Sequence, residues 1–110
     1  MTANFKVVVP NEIQVGCHKY SVFFDEAIDP DYCGRRLPAQ LFILLNPSNL
    51  PTHNFVAFLH EILHATNDHY LNRKLEEPEI DSLSEGLAQA LQSMGIEFDF
   101  SQIKHRTSPK

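Results

Sequence analysis

Two histidines and a glutamate form the part of this sequence that most directly suggests chemistry. His60, Glu61 and His64 make an H-E-x-x-H motif inside residues 57–66, which are otherwise uncharged and compatible with a helix. Histidines four residues apart lie one above the other on a helix face, so both imidazoles can reach one metal ion. The glutamate points to another side, where it can hold a metal-bound water. The motif therefore predicts zinc-assisted hydrolysis of a peptide bond.

The composition limits the possible classes of protein. The chain has 110 residues, of which 43% are hydrophobic, so we expect a single domain over residues 1–110. A net charge of -5 argues against a nucleic-acid-binding surface, and no apolar run is long enough to span a membrane. The N-terminus lacks the apolar stretch of a signal peptide, so we expect a cytoplasmic protein with Cys17 and Cys33 as reduced thiols.

β-Branched and aromatic residues in alternating patterns predict that the first half of the chain forms strands. The expected strands are residues 5–9, 12–15, 20–24 and 41–45. The second and third should pair antiparallel around Gly16, and residues 29–34 should form a loop. The continuous apolar run at 41–45 indicates burial on both faces, or an exposed edge that binds an extended peptide by β-addition.

The second half of the chain predicts two helices. The first should run from about residue 53 to 71, with Thr52 or Asn49 as its cap. At about 100° per residue, its apolar side comprises Phe55, Leu59, Ile62, Leu63, Thr66 and Tyr70. The motif histidines fall away from the centre of that side and should face a cleft.

The second helix should have Pro78 in its first turn and end at Gly95. Its apolar side comprises Ile80, Leu83, Leu87, Ala90, Leu91 and Met94. Residues 104–110 should form a flexible polar tail. The predicted fold class is α+β, with a small antiparallel or mixed sheet of three to four strands followed by two packed helices, the first carrying H-E-x-x-H.

A catalytic zinc site usually has three protein ligands and keeps a fourth position for water, so one ligand remains to be found. The second helix offers four acids, Glu77, Glu79, Asp81 and Glu85. A helix hairpin that turns near residues 74–75 would place Glu85 roughly opposite His64. Glu77 requires a quick return of the chain from Tyr70, which the intervening residues can span.

The motif and the acids that follow it resemble the zincin metallopeptidases. In the glutamate-zincin branch, H-E-x-x-H is paired with a downstream glutamate on the next helix, often within E-x-x-x-D. Residues 77–81 read E-x-x-x-D, and residues 84–88, S-E-G-L-A, are similar to the N-E-G-F-A segment of aminopeptidases in that branch. The resemblance implies a zinc peptidase whose third ligand is a glutamate of the second helix.

The overall layout also resembles a group of small zincin-like proteins encoded by phages and prophages. The similarity lies in Lys19-Tyr20-Ser21-Val22, the H-E-x-L-H-A segment, Glu76-Glu77 and Gly86-Leu87. This resemblance implies Glu77 as the third zinc ligand, with Glu85 as the alternative.

These residues support one main hypothesis and two alternatives. In the main hypothesis zinc lowers the pKa of its bound water to about 7, and Glu61 acts as the general base. Asp68 could accept the other N–H of His64, whereas His53 lies too far along the helix to share the ion. The alternatives are a catalytically silent, zinc-stabilised protein-interaction domain and a metal-free interaction module with incidental histidines.

Overall fold

Two packed helices lie beside a five-stranded sheet and a two-stranded sheet; the first helix contacts both sheets and the second contacts the two-stranded one. The computed structural model describes residues 5–26, 34–37 and 41–106. In chain order the elements are β1 (Phe5–Val8), β2 (Glu12–Val15), β3 (His18–Asp25), β4 (Gly34–Leu37), β5 (Phe42–Leu45), α1 (Pro51–Tyr70), α2 (Glu77–Ser93), β6 (Ile96–Asp99) and β7 (Lys104–Arg106). The α+β fold class with two packed helices is therefore confirmed.

The longest strand, β3, organises the larger sheet. β3 pairs antiparallel with β2 and parallel with β5 and β7, and β4 pairs antiparallel with the other edge of β5. The expected antiparallel pairing of residues 12–15 with β3 is confirmed, with Glu12 opposite Ser21. Because β5 has a strand on each side, the prediction that residues 41–45 bind a peptide by β-addition is wrong.

The two-stranded sheet extends the core through contacts of β6 with both helices. β1 and β6 run parallel, with Phe5 opposite Ile96. Phe98 of β6 stacks on Phe55 of α1, with ring centroids 4.1 Å apart, and also meets Phe58 edge to face. The main core is built from β2, β3, β5, α1 and the segments that flank β6, and its buried members are Val9, Val15, Tyr20, Val22, Ile43, Leu45, Ala57, Phe58, Ala65, Phe100 and Ile103.

Three strands were not expected from the sequence. β4 begins at Gly34, the last residue of the expected loop, and β6 and β7 follow the helices. The expected tail from residue 104 is wrong for Lys104–Arg106, which pair with β3, whereas residues 107–110 lie outside the described residues. Two polar contacts hold this strand: Lys104 N donates to Asn11 Oδ1 at 3.0 Å, and Arg106 pairs with buried Asp25 at 3.5 Å.

α1 begins without the predicted side-chain cap. Its N-cap is Leu50, in extended conformation, and neither Thr52 nor Asn49 caps the helix. Pro51 occupies the first turn, where its fixed φ favours helix initiation and its missing N–H leaves one fewer donor to satisfy.

The buried face of α1 is rotated from the expected one. Its buried residues are Asn54, Phe55, Ala57, Phe58, Glu61, Ala65 and Asn67, while Tyr70 is exposed. Ala57 and Ala65 belong to the core cluster, and their short side chains let the sheet approach the helix closely. Among the described residues, no helix is both long and apolar enough to cross a membrane.

α2 ends as expected, and its buried side overlaps the expected one only in part. Met94 is its C-cap, and Gly95 follows with a φ of 81°, a left-handed conformation that favours glycine. Ile80 of the expected apolar side is buried, together with Ser84 and Ala88, whereas Leu83, Leu87 and Met94 of that side are exposed. The small side chains of Ser84 and Ala88 explain the difference, because they allow close contact between helices.

Candidate metal centre

The regular geometry of α1 brings the two motif histidines together. His60 and His64 are one helical turn apart, with ring centroids 4.8 Å apart and ring planes at 74°. Their side chains are about one-fifth exposed, at 22% and 20%. Both imidazoles therefore lie at the surface, beside the first turns of α2.

Glu77, the first residue of α2, connects the two imidazoles. Its Oε1 lies 2.9 Å from Nε2 of His60, and its Oε2 lies 2.9 Å from Nε2 of His64. In the described part of the chain, His60, His64 and Glu77 form a group of three possible metal ligands within 4.8 Å of one another. Ligand atoms of a tetrahedral zinc are about 3.3 Å apart, as follows from bond lengths near 2.0–2.1 Å, so the two contacts of Glu77 would lengthen slightly around such an ion.

Asp81 is a second carboxylate of α2 near the histidines, and it contacts His60. It lies one turn after Glu77, and its Oδ1 is 2.8 Å from Nε2 of His60. Glu85, one further turn along, is exposed and is not part of the three-ligand group. Of the two candidates for a third ligand, the structure thus brings Glu77 to the histidines.

Glu61 lies on the opposite side of the His60 ring from Glu77. The Glu61 side chain is buried, and its Oε2 is 3.3 Å from Nδ1 of His60. The Glu61 carboxylate accepts a hydrogen bond from Nδ1–H and so orients the imidazole, and the Nε2–H of the protonated ring can donate to the carboxylates of α2. In this conformation Glu61 contacts the histidine instead of the space between the two Nε2 atoms.

The surrounding carboxylates change the protonation of His60. The hydrogen bond that His60 donates to Glu61 is the largest cause, and together with Asp81 and Glu77 it raises the pKa of His60 from 6.5 to about 9, although burial acts in the opposite direction. The metal-free protein therefore carries a charged imidazole at neutral pH. Since a metal ligand must be neutral imidazole, binding has to displace this proton.

Asn67 fixes the short turn that brings Glu77 back to α1. Its buried side chain pairs with both backbone groups of Leu75, because Nδ2 donates to the carbonyl and Oδ1 accepts from the N–H, each at 3.1 Å. The carbonyl of Asn67 also accepts from Leu71 N and Arg73 N. Asn72 and Arg73 are left-handed, with φ of 51° and 60°, which lets the chain reverse within a few residues.

A capping box then starts α2 at the residue before the ligand. The Glu76 side chain accepts from the backbone of Glu79, and Glu79 Oε1 accepts from Glu76 N at 2.8 Å. This arrangement orients the first turn of α2 and so the direction of Glu77. Sequence reasoning did not identify Asn67; its one signal was an asparagine close to the end of a predicted helix.

The other candidates from the sequence lie in different surroundings. Asp68 forms an ion pair with Arg73 at 3.3 Å. His69 is hydrogen-bonded to the hydroxyl of buried Tyr20 at 2.8 Å and stacks on His18. His53 is exposed in the first turn of α1. None of these residues belongs to the three-ligand group found among the described residues.

A cavity of about 340 Å³ lies at the start of α1, beside β6. Phe24, Asn54, Phe98 and Asp99 are among its lining residues, and neither the motif nor Glu77 lines it. The candidate metal centre lies apart from this cavity, where α2 begins against the middle of α1.

Comparisons of this chain with protein-family models, with curated proteins and with solved structures found no match. The resemblance to zincins accordingly stays a prediction, and the chemistry of the site is argued from its own donors.

Proposed function

We propose that this protein is a zinc-dependent peptidase in which His60, His64 and Glu77 hold the metal ion and Glu61 transfers the proton. The observation that carries the proposal is the approach of both Glu77 oxygens to the two Nε2 atoms, each at 2.9 Å. Two imidazoles and one carboxylate form a donor set that suits catalytic zinc, because three protein ligands leave a position for water. The exposure of the site allows a metal ion and a substrate to reach it.

Each residue would have a defined role in the reaction. When bound, zinc would lower the pKa of a coordinated water to about 7. Glu61 would accept the proton of the attacking water and return it to the leaving amine. For this its carboxylate has to move from Nδ1 of His60, which it contacts at 3.3 Å. Its position one residue from His60 on the same helix keeps it within reach.

A peptide is the substrate class that agrees best with this arrangement. Glu77 is 57% exposed and the two histidines are about one-fifth exposed, so a peptide segment that lies on the surface can approach the three donors. The pairing of a histidine ligand with an adjacent glutamate is also the arrangement used for water-mediated peptide hydrolysis.

Asp81 supports a second candidate, a zinc-stabilised interaction domain without catalytic activity. Its Oδ1 lies 2.8 Å from Nε2 of His60, so a small movement would make it a fourth protein ligand. Structural zinc sites have four protein ligands and no open position. The peptidase is favoured because Asp81 contacts His60, whereas Glu77 contacts both histidines.

Zinc titration against a competing chelator tests the metal site. We expect about one zinc per chain, with an affinity that falls more than tenfold in Glu77→Gln and changes little in Glu85→Gln. The second variant is a matched control, because it neutralises an exposed acid of the same helix that lies outside the three-ligand group. Absence of zinc from protein purified with the metal present would refute both candidates.

Digestion of a peptide library separates the two candidates. A peptidase should cleave peptides with zinc bound, and Glu61→Gln should lose about 10²–10⁴-fold in rate while it retains zinc. If Asp81 closes the site, Asp81→Asn should instead weaken zinc binding strongly, and the unaltered protein should not cleave. An active enzyme whose Glu61→Gln variant keeps its full rate would refute the assigned role of Glu61.

A further inference from the structure

The most apolar side of α2 faces solvent. We call Leu83, Leu87, Ala90 and Met94 the α2 stripe; the two leucines are each 44% exposed and Met94 is 58% exposed. At about 100° per residue these four side chains fall within about 60° of one another. A continuous apolar surface of this kind on a helix marks a site of interaction.

The spacing of the stripe is the same when read in either direction. The intervals between its four members are four, three and four residues. If a second copy of α2 lies antiparallel across the stripe, Leu83 of one copy meets Met94 of the other, and Leu87 meets Ala90. A two-fold symmetrical contact requires such a self-complementary surface. The larger side chain of Leu87 also faces the small Ala90.

The charges of α2 favour the antiparallel arrangement. Its four acids, Glu77, Glu79, Asp81 and Glu85, lie in the first half of the helix, and residues 86–95 carry no charge. Residues 75–103 contain no lysine or arginine that could neutralise a facing acid. In a parallel pair Glu79, which borders the stripe, would face its own equivalent. In the antiparallel pair the position opposite Glu79 lies beyond the last turn of the partner helix, so the two Glu79 side chains are far apart, and the two helix dipoles are opposed.

Gly86 allows the two backbones to come close. It borders the stripe, and no described heavy atom outside its own helical neighbourhood lies within 4 Å of the position of a Cβ built there. Ser82 and Ser93, also exposed, continue this flank with small side chains. Such residues let helices approach more closely than larger ones would.

We propose that the α2 stripe is the contact surface of a symmetrical homodimer with antiparallel α2 helices. The stripe is small beside the roughly 800 Å² per partner of a standard interface, so we expect a dissociation constant of about 10–500 µM. Dimerisation does not depend on the proposed metal, because Glu77 and Asp81 lie roughly 110–150° around the helix from the stripe.

Sedimentation equilibrium from 10 µM to 1 mM, with chelator present, tests the association. We expect the protein to dimerise and Leu87→Glu to remain monomeric over this range. Gln89→Glu is the matched control, because it adds the same charge at an exposed position outside the stripe and should dimerise normally. A monomeric unaltered protein at 1 mM would overturn the proposal and leave the stripe to a different partner. Unchanged dimerisation of Leu87→Glu, with normal circular dichroism, would also overturn it.

Disulfide cross-linking tests the orientation. In a background with Cys17→Ser and Cys33→Ser, we expect a mixture of the Leu83→Cys and Met94→Cys proteins to form mixed disulfide dimers. Neither protein should cross-link efficiently alone, because its two cysteines would be about 16 Å apart along the antiparallel pair. Efficient cross-linking of each protein alone, without mixed dimers, would indicate parallel helices and would contradict the proposal.

Discussion

His60 should retain a proton in the metal-free protein well above neutral pH. Its Nδ1 lies 3.3 Å from Glu61, and its Nε2 lies 2.8 Å from Asp81 and 2.9 Å from Glu77. The hydrogen bond with Glu61 contributes most to a pKa raised from 6.5 to about 9. At pH 7 the neutral form should thus be about one molecule in a hundred. Because zinc has to displace the proton of His60, its affinity should fall about tenfold for each unit by which the pH is lowered below 9.

The same pKa change has a defined effect on stability. The folded-state pKa is raised, so the stabilisation is fully present below pH 6.5 and is lost as the pH rises from 6.5 through about 9. At about 1.4 kcal/mol per pKa unit, with a reduction for partial exposure, His60 should contribute about 2–3 kcal/mol. Urea unfolding at pH 6 and pH 9.5 with chelator should show this loss, and His60→Gln should lack it.

A nuclear magnetic resonance titration of the imidazole nitrogens measures the pKa itself. We expect His60 to titrate near pH 9, and both Glu61→Gln and Asp81→Asn should lower its pKa. Glu85→Gln is the control and should leave it unchanged. If His60 titrates near 6.5 in the metal-free protein, the arrangement of carboxylates around it is wrong, and the predicted pH dependence of zinc binding is wrong with it.

Three further predictions concern the elements that position the site. Asn67→Leu should destabilise the protein by about 1–3 kcal/mol and weaken zinc binding, because two hydrogen bonds to Leu75 are lost. Urea unfolding measures the stability and chelator titration the zinc affinity, and an unchanged affinity would contradict the role of the turn. Ile80→Ala should cost about 2–5 kcal/mol because Ile80 is fully buried, whereas exposed Leu83→Ala should cost less than about 1 kcal/mol in the same assay. Gly95→Ala should destabilise the protein by about 1–2 kcal/mol, because Gly95 has a φ of 81°. Gly86→Ala should stabilise it by up to about 1 kcal/mol, because Gly86 lies inside a helix with open space around it. Thermal unfolding in which the two variants shift stability in the same direction would contradict these assignments.

The regular parts of the fold and the motif could be predicted because their patterns are local. Four-residue spacing is enough to place His60 and His64 on one face of a helix. The choice between Glu77 and Glu85 was open because it depends on how soon the chain reverses. That depends on two left-handed residues and on the side chain of Asn67, and neither leaves a periodic pattern in the sequence.

The wrong predictions share one physical cause: contacts between distant parts of the chain decide these features, and a local sequence pattern does not show such contacts. Lys104–Arg106 have no apolar pattern, yet they form a strand because β3 offers them an unpaired edge. Hydrophobic periodicity selected Leu83 and Leu87 for the contact between helices. The chain uses Ser84 and Ala88 there instead, since close packing favours small side chains over the most apolar ones.

The position of the metal centre along the chain has a consequence for folding. Glu77 is 13 residues from His64, whereas the contact of Lys104 with Asn11 joins residues 93 apart. The loop that brings the three ligands together is therefore short, and its closure costs little chain entropy compared with the closure of the sheet. Local contacts form faster than distant ones, so the α1–α2 hairpin should assemble early and β7 late. A metal ion bound at this site would accordingly act on the first stage of folding, before the sheet is complete.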